Sequence, residues 1–130
     1  MFDRLEMFRL SGAVAEHARQ RQTVAAANLA QADTPGYRAR AVVGFAETWA
    51  GGGSGPFALR ATRPGHLVDG APRAGAARVI EASHPASPDG NTVSIEAEMA
   101  QAARARGDHD RALGVYRTGL TVLRASLGRR

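Results

Sequence analysis

Asn28-Leu29-Ala30-Gln31-Ala32-Asp33-Thr34-Pro35-Gly36-Tyr37 is the stretch from which the rest of the chain is read. Asn28 to Ala32 continue a helical pattern that begins near residue 3. Pro35 disfavours helical backbone at Thr34, and Gly36 supplies a permissive backbone. Pro-Gly at the two central positions of Thr34–Tyr37 fits a type II turn, whose second central residue needs a positive φ. Tyr37, Arg38 and Arg40 follow, so the chain leaves with an aromatic ring and two cations. The stretch reads as the end of a long helix and a hard stop.

Upstream, Leu5 and Phe8 start an apolar face that Val14, Ala18, Ala25, Leu29 and Ala32 extend at helical spacing. Glu16, Arg19, Arg21 and Gln22 form the polar side. Gly12 weakens this helix by about 1 kcal/mol relative to Ala. The helix is expected from about Asp3 to Ala32. Its small, Ala-rich stripe suits packing on its own domain or against copies of itself.

All six prolines lie between Pro35 and Pro88. The proline-free far flank carries a regular pattern. Ile95, Met99, Ala102, Arg106, His109, Leu113, Tyr116, Leu120, Leu123 and Leu127 alternate spacings of four and three, the seam of a coiled coil. Arg106 and His109 interrupt it beside Gly107. Ser94 is placed to cap the helix, with Glu96 and Glu98 at its positive end and Arg124 near its negative end. Such a helix runs about 50 Å and asks for a long partner, and the first helix is the obvious one. Between the flanks, Gly51-Gly52-Gly53-Ser54-Gly55-Pro56 reads as a loop. Phe57–Thr62 and Arg78–Glu81 read as short strands, and Phe45 and Trp49 as one face of a short helix.

The expected fold is therefore mainly α, with two long N- and C-terminal helices forming a coiled-coil-like pair. Residues 1–37 form the first helix and its exit turn, 38–93 an irregular middle with little β, and 94–130 the heptad helix. The chain has 130 residues, no cysteine and no lysine. Leu, Ile, Val and Phe together number 24, below the share that usually builds a sufficient core. Mobile termini in the isolated chain, with stability gained from partners, are the expectation. No apolar run is long enough to span a membrane. Met1-Phe2-Asp3-Arg4-Leu5-Glu6 lacks the layout of a cleaved signal peptide.

Catalytic patterns are not found. His17, His66, His84 and His109 are scattered, with no zinc-type helical pair. A phosphate-binding Gly-Lys-Ser/Thr string is excluded by the absence of lysine. No catalytic, cofactor-binding or metal-ligating residue is nominated. A basic dimerisation helix for nucleic acid is the competing idea. Against it, Arg104, Arg106, Arg111, Arg117 and Arg124 are spread around the helix and interleaved with Asp108 and Asp110, whereas a DNA-binding basic region is denser.

The quoted stretch closely resembles the N-terminal signature of bacterial flagellar rod, hook and hook-associated proteins, roughly Asn-x-Ala-Asn-x-x-Thr-Pro-Gly-Tyr. Asn28, Ala30, Thr34, Pro35, Gly36 and Tyr37 match, and Gln31 stands where Asn is usual. Asp89-Gly90-Asn91-Thr92-Val93, with Glu98-Met99, is similar to the string before the C-terminal helix of proximal rod proteins. Thr62-Arg63-Pro64-Gly65-His66-Leu67 is similar to an element in their middle. The whole resembles the FlgB-type family of basal-body rod proteins, departing from its pattern at Gly107 and His109.

The resemblance implies a non-enzymatic structural subunit that polymerises helically in the proximal rod, in the periplasmic space, and helps transmit torque. It implies export through the flagellar type III apparatus. The implied partners are copies of itself, neighbouring rod and basal-body proteins, and the protein joining the rod to the MS ring. Nucleic-acid binding and direct membrane insertion are not expected. The implied assembly interface comprises Val14, Ala18, Ala25 and Leu29 on the first helix, and Ile95, Met99, Leu113, Tyr116, Leu120, Leu123 and Leu127 on the last.

Overall fold

The structure is a computed structural model and describes residues 2–50 and 77–128. The Gly-rich stretch 51–56, the strand expected at 57–62 and the 62–67 element lie outside the described residues. The elements are α1 (Phe2–Ala30), β1 (Arg40–Val42), α2 (Phe45–Ala50), β2 (Val79–Glu81) and α3 (Ile95–Ser126). The fold is mainly helical, as expected.

The two long helices pack antiparallel along each other. Phe8 meets Tyr116 edge-on with ring centroids 5.1 Å apart, Arg21 meets Asp108, and Asn28 meets Glu98. Their contact is made by small side chains. Ser11, Ala18 and Ala25 are buried on α1, seven residues apart. Glu98, Ala105, Ala112 and Gly119 are buried on α3 with the same period. At Gly119 a Cβ would come within 2.6 Å of the Met7 methyl and 3.0 Å of the Phe8 ring, so only glycine admits this approach.

On α3 the line set against α1 is not the four-three line, whose large residues were assigned above to contacts between copies. The buried line runs one residue before the Met99, Arg106, Leu113, Leu120 line, which turns the helix by about 100°. Met99 is 60% exposed and Leu127 84% exposed, and Ile95 and Tyr116 are also exposed. Leu113, Leu120 and Leu123 are half-buried. The physical reason is size. Leucines set against Ala18 and Ala25 would hold the helices apart and forfeit the close contacts of small residues along the seam.

β1 and β2 form an antiparallel pair in which Arg40 lies opposite Glu81, Ala41 opposite Ile80 and Val42 opposite Val79. β2 falls inside the expected 78–81 strand. The sheet lies over the helical pair near Asn28 and Glu98. α2 is the short helix expected from Phe45 and Trp49. It docks on α1 through His17, whose ring packs edge-on against Phe45, and Phe45 in turn stacks on Trp49. Arg9 of α1 lies over the Trp49 ring.

The buried apolar set is Ala18, Ala25, Ala39, Val43, Ala105 and Ala112. Alanines bury little area each, so hydrophobic burial contributes less here than in a leucine core. The buried polar set is as large: Ser11, His17, Asn28, Asn91, Thr92 and Glu98. Among the described residues every buried side-chain N and O has a hydrogen-bond partner, so specific polar contacts define the architecture.

Candidate functional site

α1 ends at Ala30, two residues before the expected Ala32. After Ala30 the chain tightens through i to i+3 bonds from Gln31 N–H to Asn28 O and from Ala32 N–H to Leu29 O. The Thr34–Tyr37 turn closes with Tyr37 N–H donating to Thr34 O at 3.2 Å, and Gly36 has φ +70. Both features are those of the type II turn read from Pro35-Gly36. Thr34 Oγ1 also donates to Gln31 Oε1.

Asn28 is fully buried and uses its whole amide. Nδ2 donates to Arg40 O at 2.7 Å and to Glu98 Oε1 at 2.9 Å. Oδ1 accepts from Arg40 N–H at 3.0 Å and from Tyr37 Oη at 3.3 Å. By bonding both the N–H and the C=O of Arg40, the side chain takes the place of a neighbouring strand along β1. A buried carboxylate on α3, a tyrosine hydroxyl and a strand edge are thereby tied to one residue of α1.

Asn91 does the same for the turn. Its Nδ2 lies 3.0, 2.7 and 3.0 Å from the carbonyls of Gln31, Ala32 and Thr34, just past the end of α1. Its Oδ1 accepts from Val93 N–H, and its own N–H is held by Asp89 Oδ1. Thr92 completes the clasp: Oγ1 accepts from Ala39 N–H and its N–H donates to Tyr37 O. Gly90, at φ +82, brings its backbone against Gly36, whose N–H donates to Asp89 O. Ser94 then caps α3 as expected, accepting from Ala97 N–H.

Further along the pair, Arg21 Nη1 donates to Asp108 Oδ2 at 2.7 Å and Arg21 Nη2 to Gln101 Oε1. Arg111 also bonds Asp108. The Arg111 hydrogen bond first, and then Arg21, hold the Asp108 carboxyl below the usual carboxylate range. His17 is buried and donates from Nε2 to Val43 O at 2.8 Å, fixing the chain between β1 and α2.

The two strings singled out in the sequence, 28–37 and 89–99, therefore meet. Asn28 and Tyr37 are inside the clasp, Gly36 forms its turn, and Ala30, Thr34 and Pro35 are exposed on its rim. Among the expected interface residues, Ala18 and Ala25 are used up by the intrachain seam and Val14 is half-buried beside them. Leu29, Ile95, Met99, Tyr116 and Leu127 remain exposed. Reading the sequence undervalued Glu98, taken only as a charge near the helix start, and did not find the Arg40–Val42 strand. The signal for both was Asn28 itself, an amide placed in a seam of small apolar residues.

Among the described residues no group of His, Asp and Glu is placed to hold a metal ion, and no helix is long and apolar enough to cross a membrane. In comparisons with known proteins, no family model and no curated sequence matches the chain.

Proposed function

We propose that the chain is a structural subunit of the bacterial flagellum, a proximal rod protein of the FlgB type. The observation that carries this reading is the clasp. The strings that resemble the rod-protein signatures lie 70 positions apart at Asn28 and Glu98, and they bind each other through residues of both strings. Asn28, Gly36, Tyr37, Gly90, Asn91 and Glu98 each have a specific task in that contact. A scaffold is what it builds: two long helices locked in antiparallel register.

The exposed Leu29, Ile95, Met99, Tyr116 and Leu127 supply the assembly surface. Non-closing, head-to-tail contacts between copies generate a helical array. The partners in this reading are copies of the chain, adjacent rod subunits, the protein joining the rod to the MS ring and the type III export apparatus. The subunit would act in the periplasmic part of the basal body, without enzymatic activity. Deletion of the gene, followed by a motility assay and electron microscopy of basal bodies, tests this. Non-motile cells lacking rod, hook and filament are expected; swimming cells with complete rods would refute it.

A further inference from the structure

We propose that the face of the helical pair turned away from the sheet is an interface with a second copy of this chain, antiparallel and two-fold. This goes beyond the rod reading and does not depend on it. On α3, Arg106, Asp110, Leu113, Arg117, Leu120 and Arg124 follow one another at spacings of four and three, so they share one face. Ile95 and Met99, both exposed, stand on the same line nearer the start of the helix. Met99 is two residues, about 200°, from Gln101, which lines the cavity between the sheet and the helices. On α1, Phe8, Gly12, Ala15, Arg19, Ala26 and Leu29 form the matching line. Ala26 is likewise two residues from Val24 in the wall of that cavity.

The charges lie on the surface to be covered, and they select a second copy running the opposite way. Arg106, Arg117 and Arg124 are exposed and belong to none of the ion pairs among the described residues, and Asp110 has only the neighbouring His109, at 3.9 Å. A parallel copy in register would set each arginine against its like. A copy turned end for end about residue 108 sets Arg106 against Asp110 twice, once on each side of the axis. The same turn brings Leu113 beside Ala102, Leu120 beside Ile95, and Arg117 onto Met99, one turn from Glu96. Arg124 comes level with residue 92, within a turn of Glu96 and Asp89, two exposed acids outside every ion pair. Phe8 is level with Tyr116 and Asn28 with Glu98, so residue 108 is level with Ala18. On α1 the axis therefore sets the Arg19–Glu16 pair against its copy, acid toward base, and brings Leu29 to the half-buried Phe8. Gly12, Ala15 and Ala26 keep the two α1 helices close. The overlap is about 40 Å long and about 20 Å wide across two helices. That is about 800 Å² from each copy, the size of a stable interface. The pair covers Leu29, Ile95 and Met99, so it is a form of the free chain and must part before those side chains meet a neighbour in an assembly.

The test is sedimentation equilibrium of the purified full chain over a concentration series. A monomer–dimer equilibrium is expected, with no larger species. Asp110→Arg should weaken the dimer about tenfold, because two exposed pairs per dimer are lost. Adding Arg106→Asp to that variant should restore it. Both side chains are exposed, so circular dichroism of each variant should match the parent. The chain has no cysteine, so its direction is read by disulfide capture. A Met99→Cys chain mixed with an Arg117→Cys chain should cross-link, and neither should do so alone. Monomer throughout the series, open-ended oligomers, or full dimerisation by Asp110→Arg would overturn the proposal. So would cross-linking of either cysteine variant alone, or none in the mixture.

Discussion

Asn28 Nδ2 donates to Glu98 Oε1 at 2.9 Å, joining the end of α1 to the first turn of α3. Both residues are buried, and the same amide holds both backbone groups of Arg40. One side chain thus sets the register of the helical pair and the position of the sheet. Asn28→Ala leaves Glu98, Arg40 and Tyr37 each short of a partner. Stranded buried groups cost about 1–3 kcal/mol apiece, so a loss of about 3 kcal/mol or more is expected in urea denaturation. Asn28→Asp should be worse, because it sets a second carboxylate against Glu98. A change below about 0.5 kcal/mol in either variant would show that the clasp does not hold the fold.

Asn91 holds a different part of the same end. Its amide serves the carbonyls of Gln31, Ala32 and Thr34. Asn91→Ala should cost about 2 kcal/mol and loosen the turn locally. Hydrogen exchange should accelerate at Gly36 and Tyr37, whose N–H groups donate to Asp89 O and Thr34 O, before it does so in the middle of α3. Unchanged protection there would contradict the role given to Asn91.

Asp108 makes stability depend on pH in a defined direction. Arg111 and Arg21 hold its folded-state carboxyl below the usual value. The stabilisation is therefore present above the unfolded carboxylate pKa, about 3.9, and is lost as pH falls through the lower folded value. The Asp108→Asn variant should lose this contribution at neutral pH. Its stability should fall less than that of the parent between pH 5 and the acid limit, as followed by urea melts. Parallel pH profiles would show that the pair contributes nothing.

Gly119 sets how closely the helices approach at the end away from the sheet. Gly119→Leu drives a side chain into Met7 and Phe8. Overpacking of this kind costs about 1–3 kcal/mol and should separate Phe8 from Tyr116. Tyrosine fluorescence and nuclear Overhauser contacts between the two rings would report the separation. Retained ring contacts and unchanged stability would contradict the close approach.

Much of this fold was legible from the sequence. Pro35-Gly36 gave the turn, Ser94 the cap of α3, and the absence of proline the extent of both helices. The facing of α3 was not legible. A four-three count rewards the largest apolar residues, so it selected Met99, Leu113 and Leu120. Close antiparallel packing instead rewards the smallest, Ala105, Ala112 and Gly119, and leaves Leu113 and Leu120 half-buried. β1 escaped for a related reason. Three residues without alternation carry no strand signal, and Arg40 is held extended by an amide twelve positions away. His17 read as one scattered histidine, and only the packed chain shows it bonded to Val43.

The rod assignment is tested most directly by isolating basal bodies from cells that produce an epitope-tagged chain and locating the tag by immunogold electron microscopy. Label on the proximal rod is expected. A tagged Leu127→Asp chain, altered at a side chain 84% exposed, should keep the parent's stability within about 0.5 kcal/mol, be exported and leave the rod unlabelled. Basal bodies with complete rods and no label from the unaltered chain would contradict the assignment.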